Sequence, residues 1–377
     1  MLPYGRQSID ESDIEAVAAV LRGDWLTTGP AVDTFEREIA SVAGISEPAV
    51  SVTSGTAALH TAYAGLRIGP RDEVITTPLT FFATATTAMW QGARVVFADV
   101  SEDTGNLDPA AVAAAMTSRT KVVAGVDYAG HPIDAPALAK VAHDGGALLL
   151  EDAAHSIAGN LGGVPVGSLA DVTTFSFFPT KNLTTAEGGA VVSPYGEILD
   201  AARHFKNVGY TRDPSRLQNA EGQGAWYYEV HTLGLNYRLP DVLAALGSSQ
   251  LGRIAAFKKR RAQLHERYNA GLADIAELRL PVTREGADPM WHLYPLRILD
   301  GRRRELFDHL RSHGIGVQVN YLPVHTQPIF AELGWRAGQF PVAETYSAQE
   351  ISLPMYPSLR DDDVDRVIEL VRDFVGG

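Results

Sequence analysis

The sequence has 377 residues, 45% hydrophobic and 20% charged, with a formal net charge of −13 at pH 7 and no cysteine. Such a length supports a large buried core and more than one domain. The acidic balance disfavours a nucleic-acid partner, and the missing thiols exclude disulfides, thiolate catalysis and cysteine-ligated metals.

The first ten residues, MLPYGRQSID, lack the basic-then-apolar order of a signal peptide. No apolar run approaches the roughly 20 residues of a membrane helix. A cytoplasmic protein with no membrane partner and no metal centre is expected.

In chain order, Asp10 to Leu21 reads as an amphipathic helix that Asp10 caps and Gly23 ends. Trp25 to Pro30 is turn-rich, and Asp33 to Ala43 reads as a second helix. A regular alternation follows. Strands are expected at Ala49 to Thr53, Glu73 to Thr77, Arg94 to Asp99, Lys121 to Val126 and Ala147 to Glu151. Helices are expected between them at Gly55 to Leu66, Phe82 to Gln91, Asp108 to Ala115 and Asp134 to His143. This alternation predicts an α/β architecture around a mostly parallel, buried sheet.

The pattern then changes. Val172 to Phe177 and Gly189 to Ser193 read as strands joined by a polar, turn-forming segment. Arg203 to Asn236 is irregular and aromatic, which suits functional or interface loops. Asp241 to Leu272 reads as one long helical stretch. Strands near His292 to Ile298 and helices at Arg303 to His313 and Asp361 to Val375 complete a smaller α+β region.

Four features point to chemistry. Asp152 ends an apolar strand in ALLLEDAAH, where a carboxylate faces the crevice of an open α/β sheet. Its plain alternatives are a helix cap or a metal ligand. Lys181 follows a strand in FSFFPTKNLTTAEGG; burial there would make its amine nucleophilic, although a single lysine is more often solvated. Gly55 and Thr56, in SGTAAL at a strand-to-helix junction, suit anion binding or simple N-capping. Phe81 follows a strand and suits ring stacking or the core. Together they match the needs of pyridoxal phosphate (PLP): a Schiff-base lysine, a carboxylate for the pyridine nitrogen, phosphate donors and a flat neighbour.

The segments SGTAAL, DEVITTPLTFFATA, EDAAHS, FSFFPTKNLTTAEGG and LGLNYRLPDVLAALG resemble, in order along nearly the whole chain, the motifs of the DegT/DnrJ/StrS-type sugar aminotransferases. The opening PYGRQSIDESDIEAVAAVLRGDWLTTGP, with DVSEDTGNLDP and DYAGHP, resembles the branch that acts at C4 of UDP-linked 4-keto-6-deoxy N-acetylhexosamines, the transaminases of the pseudaminic acid pathway.

The resemblance implies a fold-type-I PLP-dependent transferase. Its large domain, residues 1–250, would carry a mostly parallel seven-stranded sheet. Residues 251–377 would form a smaller α+β domain, with residues 1–23 a candidate to pack on it. Lys181 would hold PLP and shuttle the proton, and Asp152 would pair with the pyridinium nitrogen. His155 would lie near the 3′-oxygen and Phe81 on the ring. Gly55, Thr56, Ala57 and Ser176 would bind the phosphate. Asn236 would reach the phosphate of the neighbouring subunit, so a homodimer with shared active sites is implied.

Arg6, Thr28, Arg238, Tyr321 and His325 are candidate substrate contacts. The substrates implied are glutamate, or glutamine, and a ring ketone. Departures from the branch at Phe178-Pro179-Thr180, Ala186, Asp127 and the loop Gln218 to Tyr228 bear on the sugar's identity. A cyclitol or other non-nucleotide ketone is the alternative acceptor, and a PLP-binding regulator without turnover the alternative class. A nicotinamide oxidoreductase lacks support, because no G-x-G-x-x-G follows the first strand.

Overall fold

The computed structural model describes residues 1–376. Helix α1 (Glu11–Arg22) opens with a capping box: the Asp10 carboxylate accepts from the N–H groups of Ser12 and Asp13, and Asp13 returns a bond to Asp10. Helix α2 (Pro30–Val42) begins three residues before the expected Asp33. Proline suits the first helical position, where an N–H would lack a partner. The side chain of Asp241 supplies the cap from far along the chain, accepting from Gly29 N at 2.9 Å and Ala31 N at 3.1 Å.

The alternation then runs β1 (Val50–Val52), α3 (Gly55–Gly65), β2 (Glu73–Thr76), α4 (Ala83–Trp90), β3 (Arg94–Phe97), α5 (Pro109–Ala115), β4 (Thr120–Val126), α6 (Ala135–Asp144) and β5 (Leu148–Asp152). A small ribbon of β6 (Asn160–Leu161) and β7 (Val164–Pro165) precedes β8 (Val172–Ser176) and β9 (Gly189–Val192). The seven-stranded sheet has the order β1-β9-β8-β5-β4-β2-β3. Every neighbouring pair is parallel except the two that involve β9. Strands β1, β2 and β9 are buried throughout, as strands covered on both faces are.

After α7 (Gly196–Lys206) the chain forms the ribbon β10 (Tyr210–Thr211) and β11 (Glu229–Val230). The loop between them exposes Trp226 and Tyr228. The expected single helix from Asp241 is two: α8 (Asp241–Leu251) and α9 (Ile254–Leu272). Gly252, a weak helix former, ends the first. Arg253 leaves the helical conformation and pairs with Asp10 and Asp13 of the N-terminal segment.

The remainder is β12 (Leu278–Arg279), β13 (Ala287–Asp288), β14 (Tyr294–Ile298), α10 (Arg303–Ser312), α11 (Pro328–Glu332), α12 (Pro341–Gln349), β15 (Glu350–Leu353) and α13 (Asp361–Gly376). Strands β12, β14 and β15 form an antiparallel sheet. Its core includes Leu264, Tyr268, Leu296, Ile351 and Val367, contributed by this sheet and helices α9 and α13. Residues at the N-terminus are stitched to this second core: Leu2 N donates to Gly314 O at 2.8 Å, and Met355 N to Tyr4 O at 3.1 Å. Helix α1 instead packs on α8. Among the described residues no helix is long and apolar enough to cross a membrane.

Candidate active site

A cavity of about 530 Å³ opens where β5 and β8 end, beside the first turn of α3. Carboxyl ends of parallel strands and helix N-termini converge there by topology. Asp152, Lys181, His155, Phe81, Gly55, Thr56, Ser176 and Tyr321 all line it.

Asp152 is 4% exposed. Its Oδ2 accepts from the Thr84 hydroxyl at 2.7 Å and its Oδ1 from Ala154 N at 3.3 Å. Thr84 is itself held by the hydroxyl of Thr80, 2.9 Å away. Burial raises the Asp152 carboxyl above its ordinary range, while the Thr84 bond and the Lys181 charge pull it back. A further cation at this carboxylate would favour its ionised form.

Lys181 lies in the loop between β8 and β9, with its backbone N–H bonded to Phe178 O at 2.9 Å. Its side chain is half-buried and lines the cavity. Among the described residues its amine makes no hydrogen bond and no ion pair. Burial draws its pKa from 10.5 down to about 8, against the opposing charge of Asp152. Roughly a tenth of the amine is thus unprotonated at pH 7, far more than for a solvated lysine, and that free amine is the nucleophile.

His155 is also 4% exposed. Its Nε2 lies 3.1 Å from the Tyr321 hydroxyl, and its ring sits 4.4 Å from that of His292. Burial, reinforced by the charges of Lys181 and Arg261, holds His155 well below the usual histidine range. Its Nδ1 is buried without a partner, and so is Thr174 Oγ1 in the same cavity wall. Native structures seldom leave such atoms unpaired. Two orphaned polar atoms beside an unpaired lysine and a buried carboxylate fit a flat, polar cofactor with an aldehyde and a ring nitrogen.

Gly55 starts α3, and an added Cβ would come 2.6 Å from Ser176 Oγ. Glycine therefore permits the helix to begin against the end of β8. The first-turn N–H groups of Gly55 and Thr56 have no partner within the helix and can hold an anion. The N–H of Ala57 is already taken by Ser54 Oγ at 3.0 Å, and Ala57 does not line the cavity. Phe81 is 46% exposed at the cavity edge, 6.2 Å from the Tyr321 ring.

Other candidates from the sequence lie elsewhere. Thr28 and Arg238 line a second cavity of about 750 Å³ between α2 and α7, where Arg238 Nη1 donates to Asn207 Oδ1 at 2.7 Å. Asn236 is exposed and bridges to Asn207 through its backbone. Arg6 is exposed and lines neither cavity. His325 is wholly buried: its Nε2 meets Glu344 Oε1 at 3.0 Å, and its ring packs on Phe97 and Phe340. It is a core histidine rather than a lining residue.

Several lining residues were not singled out in the sequence: Tyr4, Thr84, Thr174, His292 and Asn320.

The profile described as the DegT/DnrJ/EryC1/StrS aminotransferase family matches residues 7–372. The spore coat polysaccharide biosynthesis protein SpsC of Bacillus subtilis is 40% identical over 382 residues, covering 100% of this chain and 97% of SpsC. Spr1654 of Streptococcus pneumoniae in its PMP form superposes with a TM-score of 0.94 at 29% identity, covering 100% of this chain and 99% of that one. The same protein is also known in a PLP form. PseC of Helicobacter pylori, an aminotransferase involved in the biosynthesis of pseudoaminic acid, gives a TM-score of 0.92 at 28% identity, with 100% and 99% covered.

Proposed function

The chain belongs to the DegT/DnrJ/EryC1/StrS aminotransferase family, whose cofactor is PLP, and on that premise we propose that it moves an amino group from glutamate to C4 of a nucleotide-linked 4-keto-6-deoxy sugar. The observation that carries the chemistry is the Lys181 amine, lowered to about 8 and unpaired, in one cavity with buried Asp152. The ring ketone is supported by the aromatic lining of Tyr4, Phe81, Phe178 and Tyr321, since flat apolar faces suit a sugar ring. It is also supported by the likeness to PseC and SpsC.

When bound, PLP supplies an electron sink for the carbon that carries the amine. Lys181 is the residue that would link covalently to the cofactor aldehyde. Displaced by the donor amine, it becomes the base that takes the proton from the donor carbon and the acid that returns it. Asp152, held by Thr84, would keep the pyridine nitrogen protonated. His155 and Thr174 would present their unpaired atoms to the ring substituents. The first turn of α3 and Ser176 would hold the phosphate.

No arginine lines this cavity, so a phosphate dianion there gains from a donor outside the subunit. That favours a homodimer in which the exposed Asn236 of one copy reaches the site of the other. The exposed Trp226, Tyr228, Val230 and Leu233 suit the same interface.

The test supplies UDP-linked 4-keto-6-deoxy N-acetylhexosamine and a cyclitol ketone separately, with glutamate, and measures 2-oxoglutarate. Multiple turnovers with the nucleotide sugar alone support the proposal. Turnover with the cyclitol alone would replace its acceptor. A bound cofactor that glutamate leaves unchanged would indicate another donor or a sensor.

A further inference from the structure

Arg261, on α9, is 1% exposed and among the largest wholly buried side chains of the molecule. Buried guanidinium groups normally face a carboxylate. This one does not. Its Nη1 donates to three backbone carbonyls, those of Trp291, His292 and Met355, each at 3.2 Å. Its Nε is buried with no partner. A bare buried cation is costly, so what it holds in place matters.

Residues 291 and 292 lie just before β14, and Met355 just after β15. His292 lines the Lys181 cavity, with its ring 4.4 Å from that of His155 at 37°. Its Nδ1 stands 3.3 Å from Asn182 Oδ1. Asn182 in turn donates to the backbone carbonyls of His155 and, at 3.0 Å, of Met290. The ring and the backbone of His155 are thus both braced by the segment 290–292, whose far side is anchored by Arg261. On the other side His155 meets Tyr321.

We propose that Arg261 is a positioning residue of the cofactor site: it pins the His292 segment, and that segment fixes the orientation in which His155 meets the cofactor. The cation serves this geometry in a second way. Burial first, and then the positive charges of Lys181 and Arg261 among others, hold His155 and His292 well below the usual histidine range. Both rings stay neutral and can lie against each other. A neutral ring also keeps one nitrogen as an acceptor and the other as a donor, so His155 can serve Tyr321 and the cofactor at once.

The inference rests on reading the Lys181 cavity as the PLP site, and needs neither the donor nor the acceptor sugar. Its test is a titration of apo-protein with PLP, followed by absorbance, in wild type, R261M and R261K. Methionine keeps the apolar stem without the charge. Lysine keeps the charge, but its Nζ stands one atom short of the Nη1 that reaches the three carbonyls. The PLP Kd of R261M should rise roughly tenfold and its visible maximum should shift, with R261K between R261M and wild type.

A merely structural tie would lower the Tm of R261M while leaving Kd and maximum as in wild type, and that result overturns the proposal. Should R261M fail to fold, R261K decides: a weaker Kd upholds the proposal, and the wild-type Kd overturns it. A wild-type protein that takes up no PLP would instead overturn the reading of the cavity itself.

Discussion

Two lysines of this molecule lie deep beside the same sheet and have opposite fates. Near β1, Lys206 of α7 is 13% exposed in its side chain and fully partnered: its amine meets Glu36 Oε1 at 2.7 Å and Ser51 O at 3.1 Å. Near the ends of β5 and β8, Lys181 has no such partner, and its pKa is drawn down to about 8 by burial. Burial alone therefore does not create a nucleophile. A buried ammonium in direct contact with an anion becomes a structural tie, whereas one that feels its carboxylate, Asp152, only at a distance becomes a reactive amine.

The largest expected difference between them is in catalysis. K181A should lower the glutamate half-reaction by at least roughly 10⁴-fold, measured as 2-oxoglutarate formed in a single turnover. K206M should leave that rate within about twofold, because its contacts end at Glu36 and Ser51. Comparable losses in both variants would break the comparison. D152N should fall between them, slowing the same step by roughly 10² to 10⁴-fold, since an amide holds a pyridinium less firmly than a carboxylate does.

Stability should move in opposite directions. The folded pKa of Lys181 is lowered from 10.5 to about 8, so below pH 8 both folded and unfolded states are protonated and the folded state bears the cost. Between about 8 and 10.5 the unfolded state binds more protons, and stability rises with pH through that window. At pH 7 apo K181M should therefore be more stable than wild type, by up to about 3 kcal/mol, and the gain should vanish as pH approaches 10.5. K206M should be less stable by about 1–3 kcal/mol, because Glu36 loses its cation. Denaturant melts of the apo-proteins at pH 7 and 10 check both signs.

The smallest effect separates a third buried group from the site. H325F removes a histidine paired with Glu344 inside an aromatic cluster. It should cost about 1–2 kcal/mol of stability and change kcat less than twofold. A large rise in KM with unchanged Tm would return His325 to the substrate site.

The large sheet was legible because its strands are buried on both faces and separated by helices of ordinary length. Asp152 and Lys181 were legible because the first closes a strand of that sheet and the second follows one, where topology places ligands. The break at Gly252 was not, because the flanking composition is helical on both sides and only the contacts of Arg253 with Asp10 and Asp13 fix the turn. Thr84, His292 and Tyr4 were hidden for a related reason. They reach the cavity from three separate parts of the chain, and no spacing within a segment announces such a meeting. His325 misled because its aromatic neighbours Phe97 and Phe340, which make it a core residue, come from distant elements.

The most direct test of the contrast between the two lysines is one set of absorbance spectra: wild type, K181M and K206M, each reconstituted with PLP and read before and after glutamate. Wild type and K206M should show a visible band of lysine-bound cofactor that glutamate removes, and K181M should show no such band. A band in K181M that glutamate still removes would mean that another amine holds the cofactor, and would contradict the assignment of Lys181.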